Sequence, residues 1–152
     1  MEILFLDFNT LEYVYKKIQQ RNNIIFYGDV YRENENKIRR YLEDINDYFW
    51  YKTTLCHQVV FFPTCLIKKY LYDVNYKIAS DYDLLLKLYK SGIKFEYLNT
   101  TVCIYEGGGF SESLNGIKQN KVEKKIIIHK YFSLFKILLF FIKNIYKKII
   151  KI

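Results

Sequence analysis

Three short segments carry the residue types that could do chemistry: Cys56-His57-Gln58, Ala79-Ser80-Asp81-Tyr82-Asp83-Leu84 and Glu106-Gly107-Gly108-Gly109-Phe110-Ser111. Tyr27-Gly28-Asp29-Val30 precedes them. A carboxylate at a helix start, as at Asp81, can take a proton from an attacking hydroxyl; it can also simply cap the helix. Asp81 and Asp83 spell Asp-x-Asp, a text that could hold Mg²⁺ or Mn²⁺ with a diphosphate. Side chains two apart on a helix diverge, however, which sends Asp83 toward a neighbouring loop or solvent. An imidazole and an amide, as at His57 and Gln58, can donate hydrogen bonds to developing negative charge, although a lone histidine is more often structural. Three consecutive glycines let backbone approach phosphate and let a loop close; an ordinary glycine-rich turn is the plainer reading.

The order and spacing of these four segments, over Ile24 to Ser113, resemble the C-terminal half of family 2 glycosyltransferases, inverting GT-A enzymes of bacterial surface-polysaccharide synthesis. The resemblance implies an α/β fold, the C-terminal part of a GT-A (Rossmann-like) domain with a mixed short sheet. It implies Asp81 as the catalytic base, with Ser80 where the family commonly has an acidic residue. His57 and Gln58 would line the site near donor diphosphate or acceptor, and Glu106, Gly107, Gly108, Gly109 and Ser111 would form the loop that closes over the donor. Asp29 would support acceptor or site geometry, with a turn role as the equal alternative. Such enzymes bind a divalent cation, Mg²⁺ or Mn²⁺, through an Asp-x-Asp in an N-terminal nucleotide-binding half. No counterpart of that half precedes Met1 to Lys17, which resembles the helix that follows it, so the cation's ligands are not expected in this chain. A separate N-terminal half is one expected partner, beside a nucleotide-diphosphate sugar and a lipid-linked or glycan acceptor. The other reading is a non-catalytic truncated remnant or a membrane-surface interaction protein.

The elements that must position these residues follow from periodicity. Leu11, Val14, Tyr15 and Ile18 are spaced as one helical face within Thr10 to Gln20. Ile24 to Tyr31 reads as a buried strand with a bulge or close backbone approach at Gly28-Asp29. Asn34 to Asn46 is polar and reads as a loop or exposed hairpin. Thr53 to Phe62 is a second β-rich run, ended by Pro63, with a short helix over Thr64 to Tyr72. Ser80 or Asp81 is the expected N-cap of a helix over Tyr82 to Tyr89, stopped by Ser91-Gly92. Two short strands, Phe95 to Leu98 and Thr101 to Tyr105, precede the glycine loop and a long C-terminal helix.

At 152 residues the chain suits one globular body, since this size can bury roughly 68–70% of the unfolded surface. Its +8 net charge is not spread evenly: residues 121–152 hold nine Lys and one Glu, whereas residues 1–120 hold 15 basic and 15 acidic side chains. The organisation read from this is a partial glycosyltransferase domain over 1–120 and a basic amphipathic helix over 121–152. Lys125, His129, Ser133, Lys136, Lys143, Lys147 and Lys151 fall on one stripe, and Leu134, Leu138, Phe141, Ile142, Ile145 and Ile149 on the opposite side. The longest apolar run, Ile137 to Ile142, is far below the roughly 20 residues a span requires. The helix therefore suits an anionic membrane surface, with packing on its own domain or on a partner subunit as the alternative. A surplus confined to one apolar tail argues against nucleic acid. Cys56, Cys65 and Cys103 are odd in number and unpaired in spacing, and read as buried small apolar residues of a reducing compartment. With no secretory signal in the opening residues, the expected location is cytoplasmic, peripheral on the inner face of the cell membrane.

Overall fold

The computed structural model describes residues 4–5, 9–19 and 21–150. The fold is mixed α/β. A five-stranded mixed sheet is built on β2 (Ile24–Arg32) and β5 (Lys94–Tyr105), which run parallel; β1 (Leu4–Phe5) adds antiparallel to the outer edge of β5. The other edge of β2 carries two antiparallel partners in succession, β4 (Val60–Phe61) at Phe26–Tyr27 and β3 (Lys37–Arg39) at Val30–Arg32. Around the sheet lie α1 (Thr10–Ile18), α2 (Asp47–Lys52), α3 (Thr64–Tyr70), α4 (Ser80–Lys90), α5 (Leu114–Tyr131) and α6 (Leu134–Ile150). The helix that the resemblance implied over Met1 to Lys17 begins only at Thr10, after a strand at Leu4–Phe5; residues 1–3 and 6–8 lie outside the described residues.

The β2 run is buried along most of its length, as its mainly β-branched and aromatic composition requires. Its pairing with β5 slips in register between Tyr27 and Val30, opposite Asn99, which adopts a left-handed φ of 50°. The two strands expected at 95–98 and 101–105 are thus one strand carrying a bulge. Gly28 sits at this slip because a Cβ there would stand 2.5 Å from Val102 Cγ2 and 2.7 Å from the Thr100 carbonyl oxygen. Gly28→Ala is expected to cost about 2–3 kcal/mol in urea unfolding, since one of the obstructing atoms is backbone and cannot rotate away.

The core joins sheet to helices through aromatic rings. Trp50 of α2 is fully buried, with its ring centroid 5.6 Å from Phe95 of β5 and 5.7 Å from Tyr89 of α4. Tyr82 of α4 donates its hydroxyl to the Trp50 carbonyl at 2.5 Å. Leu84, Leu85, Leu86 and Leu88 are buried as well, so α4 is enclosed on nearly all sides. It stops at Ser91-Gly92 as expected: Gly92 takes φ 78°, and the Ile93 N–H returns to the Leu88 carbonyl.

Only Val60–Phe61 of the expected Thr53 to Phe62 strand pairs into the sheet; His57–Val59 form a 3-10 turn. Groups distant in sequence draw the lead-in away from the ladder. Arg39 donates to Thr53 Oγ1 and the Thr54 carbonyl, and the Cys56 N–H donates to the Tyr41 hydroxyl. The polar 34–46 segment does return along β2 as a hairpin through β3. Of the three free cysteines, Cys103 is buried as expected, Cys56 is half-buried, and Cys65 is exposed on α3.

The tail is not one helix. Phe132 turns extended (φ −124°, ψ 138°) between α5 and α6 and is itself buried, with Lys90 Nζ over its ring and Phe140 5.8 Å away. Helix α5 spans the expected boundary at residue 121 and belongs to the globular body, burying Gly116, Glu123 and Ile127. Ser133, expected on a helical stripe, instead precedes α6 and accepts the Lys136 N–H. No residue of α6 is buried. Its orientation is the reverse of an ordinary surface helix. Phe140 stacks against Tyr48 and Tyr51, Asn144 accepts from Tyr48 Oη and Lys52 Nζ, and Lys136 pairs with Asp47. Leu134, Leu138, Phe141, Ile142, Ile145 and Ile149 are 43–73% exposed on the outside. Among the described residues no helix is long and apolar enough to cross a membrane.

Candidate functional site

Asp81 occupies the second position of α4. The N-cap is Ala79, without a side-chain cap bond, and Asp81 Oδ1 accepts the N–H of Tyr82 beside it (2.7 Å). The expected N-cap role of Ser80 or Asp81 is therefore not the observed one. Support for this end of α4 comes from another helix. Glu123 of α5 accepts the N–H groups of Lys77, Ile78 and Ala79 at 2.8–3.0 Å, and Gln119 Nε2 at 2.9 Å. Burial works against the Glu123 charge, but these donors outweigh it and hold its carboxyl below the usual range.

The second Oδ of Asp81 lies 3.8 Å from Nδ1 of His57; the aspartate side chain is 30% exposed and the histidine 48%. These two residues line adjoining cavities of about 240 and 350 Å³, together with Thr54, Ser111, Asn120 and Lys124. Arg32, Arg39, Tyr105 and Glu112 also line the first. Burial pushes the Asp81 carboxyl up, with the Tyr82 N–H, His57 and Lys124 opposing the shift in part. Burial likewise lowers the Lys124 ammonium, with Asp81 resisting. The result is a carboxylate brought closer to neutrality beside three basic side chains.

Those basic groups come from three separate elements. Arg32 ends β2 and pairs with Glu35 (3.0 Å) and Glu112 (3.2 Å), while its Nε is buried without a hydrogen-bond partner among the described residues. Arg39 ends β3 and has neutral oxygens as its hydrogen-bond acceptors. Lys124 lies one residue beyond Glu123, its ammonium 5.3 Å from the Tyr82 ring centroid. Asn120 Oδ1, on the same face of α5, is also buried without a partner. An orphaned donor and an orphaned acceptor on one cavity, with both cations and carboxylates in its wall, fit a polar ligand that carries hydroxyl groups as well as anionic oxygens better than an apolar one.

The remaining sequence-predicted residues are dispersed. Asp29 is buried and accepts from the Tyr41 N–H (2.9 Å) and the Tyr97 hydroxyl (2.8 Å), joining β2 to the segment after β3 and to β5. Gln58 is buried beside Cys103, whose Sγ lies 3.9 Å from its Oε1, and does not line the cavity. Asp83 is fully buried rather than facing loop or solvent, and receives Lys130 of α5 at 2.9 Å. In the glycine segment, Ser111 reaches the cavity; Glu106 is exposed, and Gly107 and Gly108 adopt φ of 83° and 75°. Glu112 closes this loop by accepting the Gly108 N–H (2.8 Å) and ties it to Arg32.

Sequence reasoning missed Arg32, Arg39, Thr54, Asn120, Glu112 and Lys124. One signal could have found the last. Glu123 is the sole acid in an otherwise basic stretch, and an isolated acid on such a helix marks a face turned toward backbone donors. Among the described residues no group of three or more His, Cys, Asp or Glu side chains converges to hold a metal ion. The resemblance places the ligands of its divalent cation on residues outside this chain, and the described side chains offer no such group for it. Compared with protein-family models, curated proteins and solved structures, the chain matches none.

Proposed function

We propose that this chain is the acceptor-side part of an inverting, GT-A, family 2-like glycosyltransferase, working from a nucleotide-diphosphate sugar onto a surface-glycan acceptor beside an anionic membrane. The observation that carries this reading is the meeting of Asp81, with its raised pKa, and three cations from β2, β3 and α5 in one cleft. In the proposed step the acceptor oxygen attacks the anomeric carbon and its proton passes to Asp81. The bond from that carbon to the diphosphate oxygen breaks, and the electron pair leaves on the diphosphate. Arg32, Arg39 and Lys124 offset the developing charge, and His57 stands 3.8 Å from the Asp81 carboxylate at the mouth of the cleft. A base whose pKa approaches working pH exchanges protons more effectively than a fully exposed aspartate.

Titration with a UDP- or GDP-sugar and Mn²⁺ tests the reading. Saturable binding is expected, weakened about tenfold or more by Lys124→Ala, which removes one charge-assisted contact. Lys118→Ala, exposed on the same helix, is the control. No binding, or equal binding by both variants, would overturn it. The outward apolar face of α6 favours a second reading, a membrane-surface interaction protein without transfer; vesicle binding in the absence of nucleotide-sugar binding would select it.

A further inference from the structure

Helix α6 meets α2 and the segment after β3 along a groove of about 1180 Å³, which among the described residues shares only Arg39 with the Asp81 cleft. Arg40, Lys52, Lys143, Lys147 and Lys148 line it, and no lining side chain is a carboxylate. None of the five forms an ion pair with a described acid. Three of them are nevertheless held in place. Lys143 and Lys147 lie 4.4 and 5.1 Å from the Tyr48 ring centroid, and Lys52 Nζ donates to Asn144 Oδ1 at 2.8 Å. Like charges gathered at one groove repel each other unless an anion joins them. Oxygen-rich phosphate suits lysine and arginine donors.

Apolar side chains share the wall of this groove with the cations, with Leu42, Tyr146 and Ile150 each 57–64% exposed. A free phosphate would satisfy the groove and leave those side chains in water, whereas a phospholipid satisfies both, its head group among the cations and its acyl region against the helix. We infer that the groove between α2 and α6 is a binding site for the phosphate head group of an anionic membrane lipid. The site deepens the membrane part of the reading above and is independent of sugar transfer, so retained nucleotide-sugar binding with lost vesicle binding separates the two.

The test is co-sedimentation with phosphatidylcholine vesicles with and without phosphatidylglycerol. Arg40→Glu/Lys52→Glu places both changes on the body side of the groove, at exposed positions, leaving α6 intact. Binding to the anionic vesicles is expected to fall about tenfold or more, since each basic residue near an anionic leaflet contributes about 1 kcal/mol. Lys68→Glu/Lys69→Glu, an equal change of charge on the exposed side of α3, is expected to stay within about twofold of the unaltered protein. Arg40→Gln/Lys52→Gln supplies a milder variant should the reversals disturb folding, with circular dichroism as the check. Equal losses from both charge-reversed pairs would overturn the site, because net charge alone would then explain binding. Saturable binding of inorganic phosphate at fixed ionic strength, without vesicle binding, would overturn the lipid assignment in favour of free phosphate.

Discussion

Replacing Glu123 with alanine is expected to destabilise the protein by about 3–5 kcal/mol. The carboxylate is buried on α5 and accepts three consecutive backbone N–H groups from residues 77–79 and one side-chain amide. Its loss strands donors that the fold has withdrawn from water, at about 1–3 kcal/mol each where solvent does not replace the bond. Glu123→Gln retains the volume and one acceptor oxygen but turns an amide NH₂ toward N–H donors, so its cost should fall below that of alanine. The pH dependence has a definite sign. The folded carboxyl titrates below its unfolded value, so the stabilisation is fully present above the unfolded pKa and is lost as pH falls through the folded one. Urea unfolding at neutral pH and at acid pH should therefore show the wild-type and alanine proteins converging in acid. A difference that does not narrow in acid would refute the charge-assisted account.

Asp81→Asn carries the other large effect, and it should act on activity and stability in opposite directions. If Asp81 is the base, the amide abolishes proton acceptance and transfer falls about 10²- to 10⁴-fold, with nucleotide-sugar binding little changed. Asn Oδ1 can still accept the Tyr82 N–H, so the helix start is preserved. The raised carboxyl pKa means that folding favours the protonated form. At pH above both values, the ionised side chain costs stability that is recovered as pH falls below the unfolded pKa. The asparagine variant should therefore melt higher than wild type at pH 7 and match it in acid. Equal transfer by the two proteins would remove Asp81 from the chemistry, and a lower Tm at pH 7 would show that the His57 contact outweighs burial.

Much of the fold could be read locally because its signals are local. The β-branched and aromatic run of β2, the helix α4 with its Ser91-Gly92 stop, and α3 after Pro63 each depend on residues within or beside the element. The errors came where distant groups decide. The 53–59 segment leaves the expected strand because Arg39 and Tyr41 bind its backbone, and the tail breaks because Phe132 finds a pocket beside Lys90 and Phe140. The candidate site divides along the same line. Asp81 and His57 were legible as members of an ordered set, and the structure brings them together. Arg32, Arg39 and Lys124 were not, since only the tertiary fold gathers side chains from the ends of two strands and the middle of a helix. Asp29 and Gln58 sit in the right segments, yet their hydrogen-bonding groups are engaged by Tyr41, Tyr97 and Cys103 in the interior.

The break at Phe132 also sets a tether length. From Lys124 the chain rises along α5 for about 12 Å before it turns, and α6 then spans about 26 Å, at 1.5 Å per residue. Every surface that α6 rests on thus lies within roughly 40 Å of the cleft. Because α5 is pinned by Glu123 and by the Lys130–Asp83 pair, that arm cannot lengthen without unseating the start of α4. The cleft is held at a fixed altitude above whatever the outer face of α6 touches. Under the proposed reading, a substrate moored to the same surface would have to present its reacting end at that height, so the tail would act as a ruler as well as a mooring.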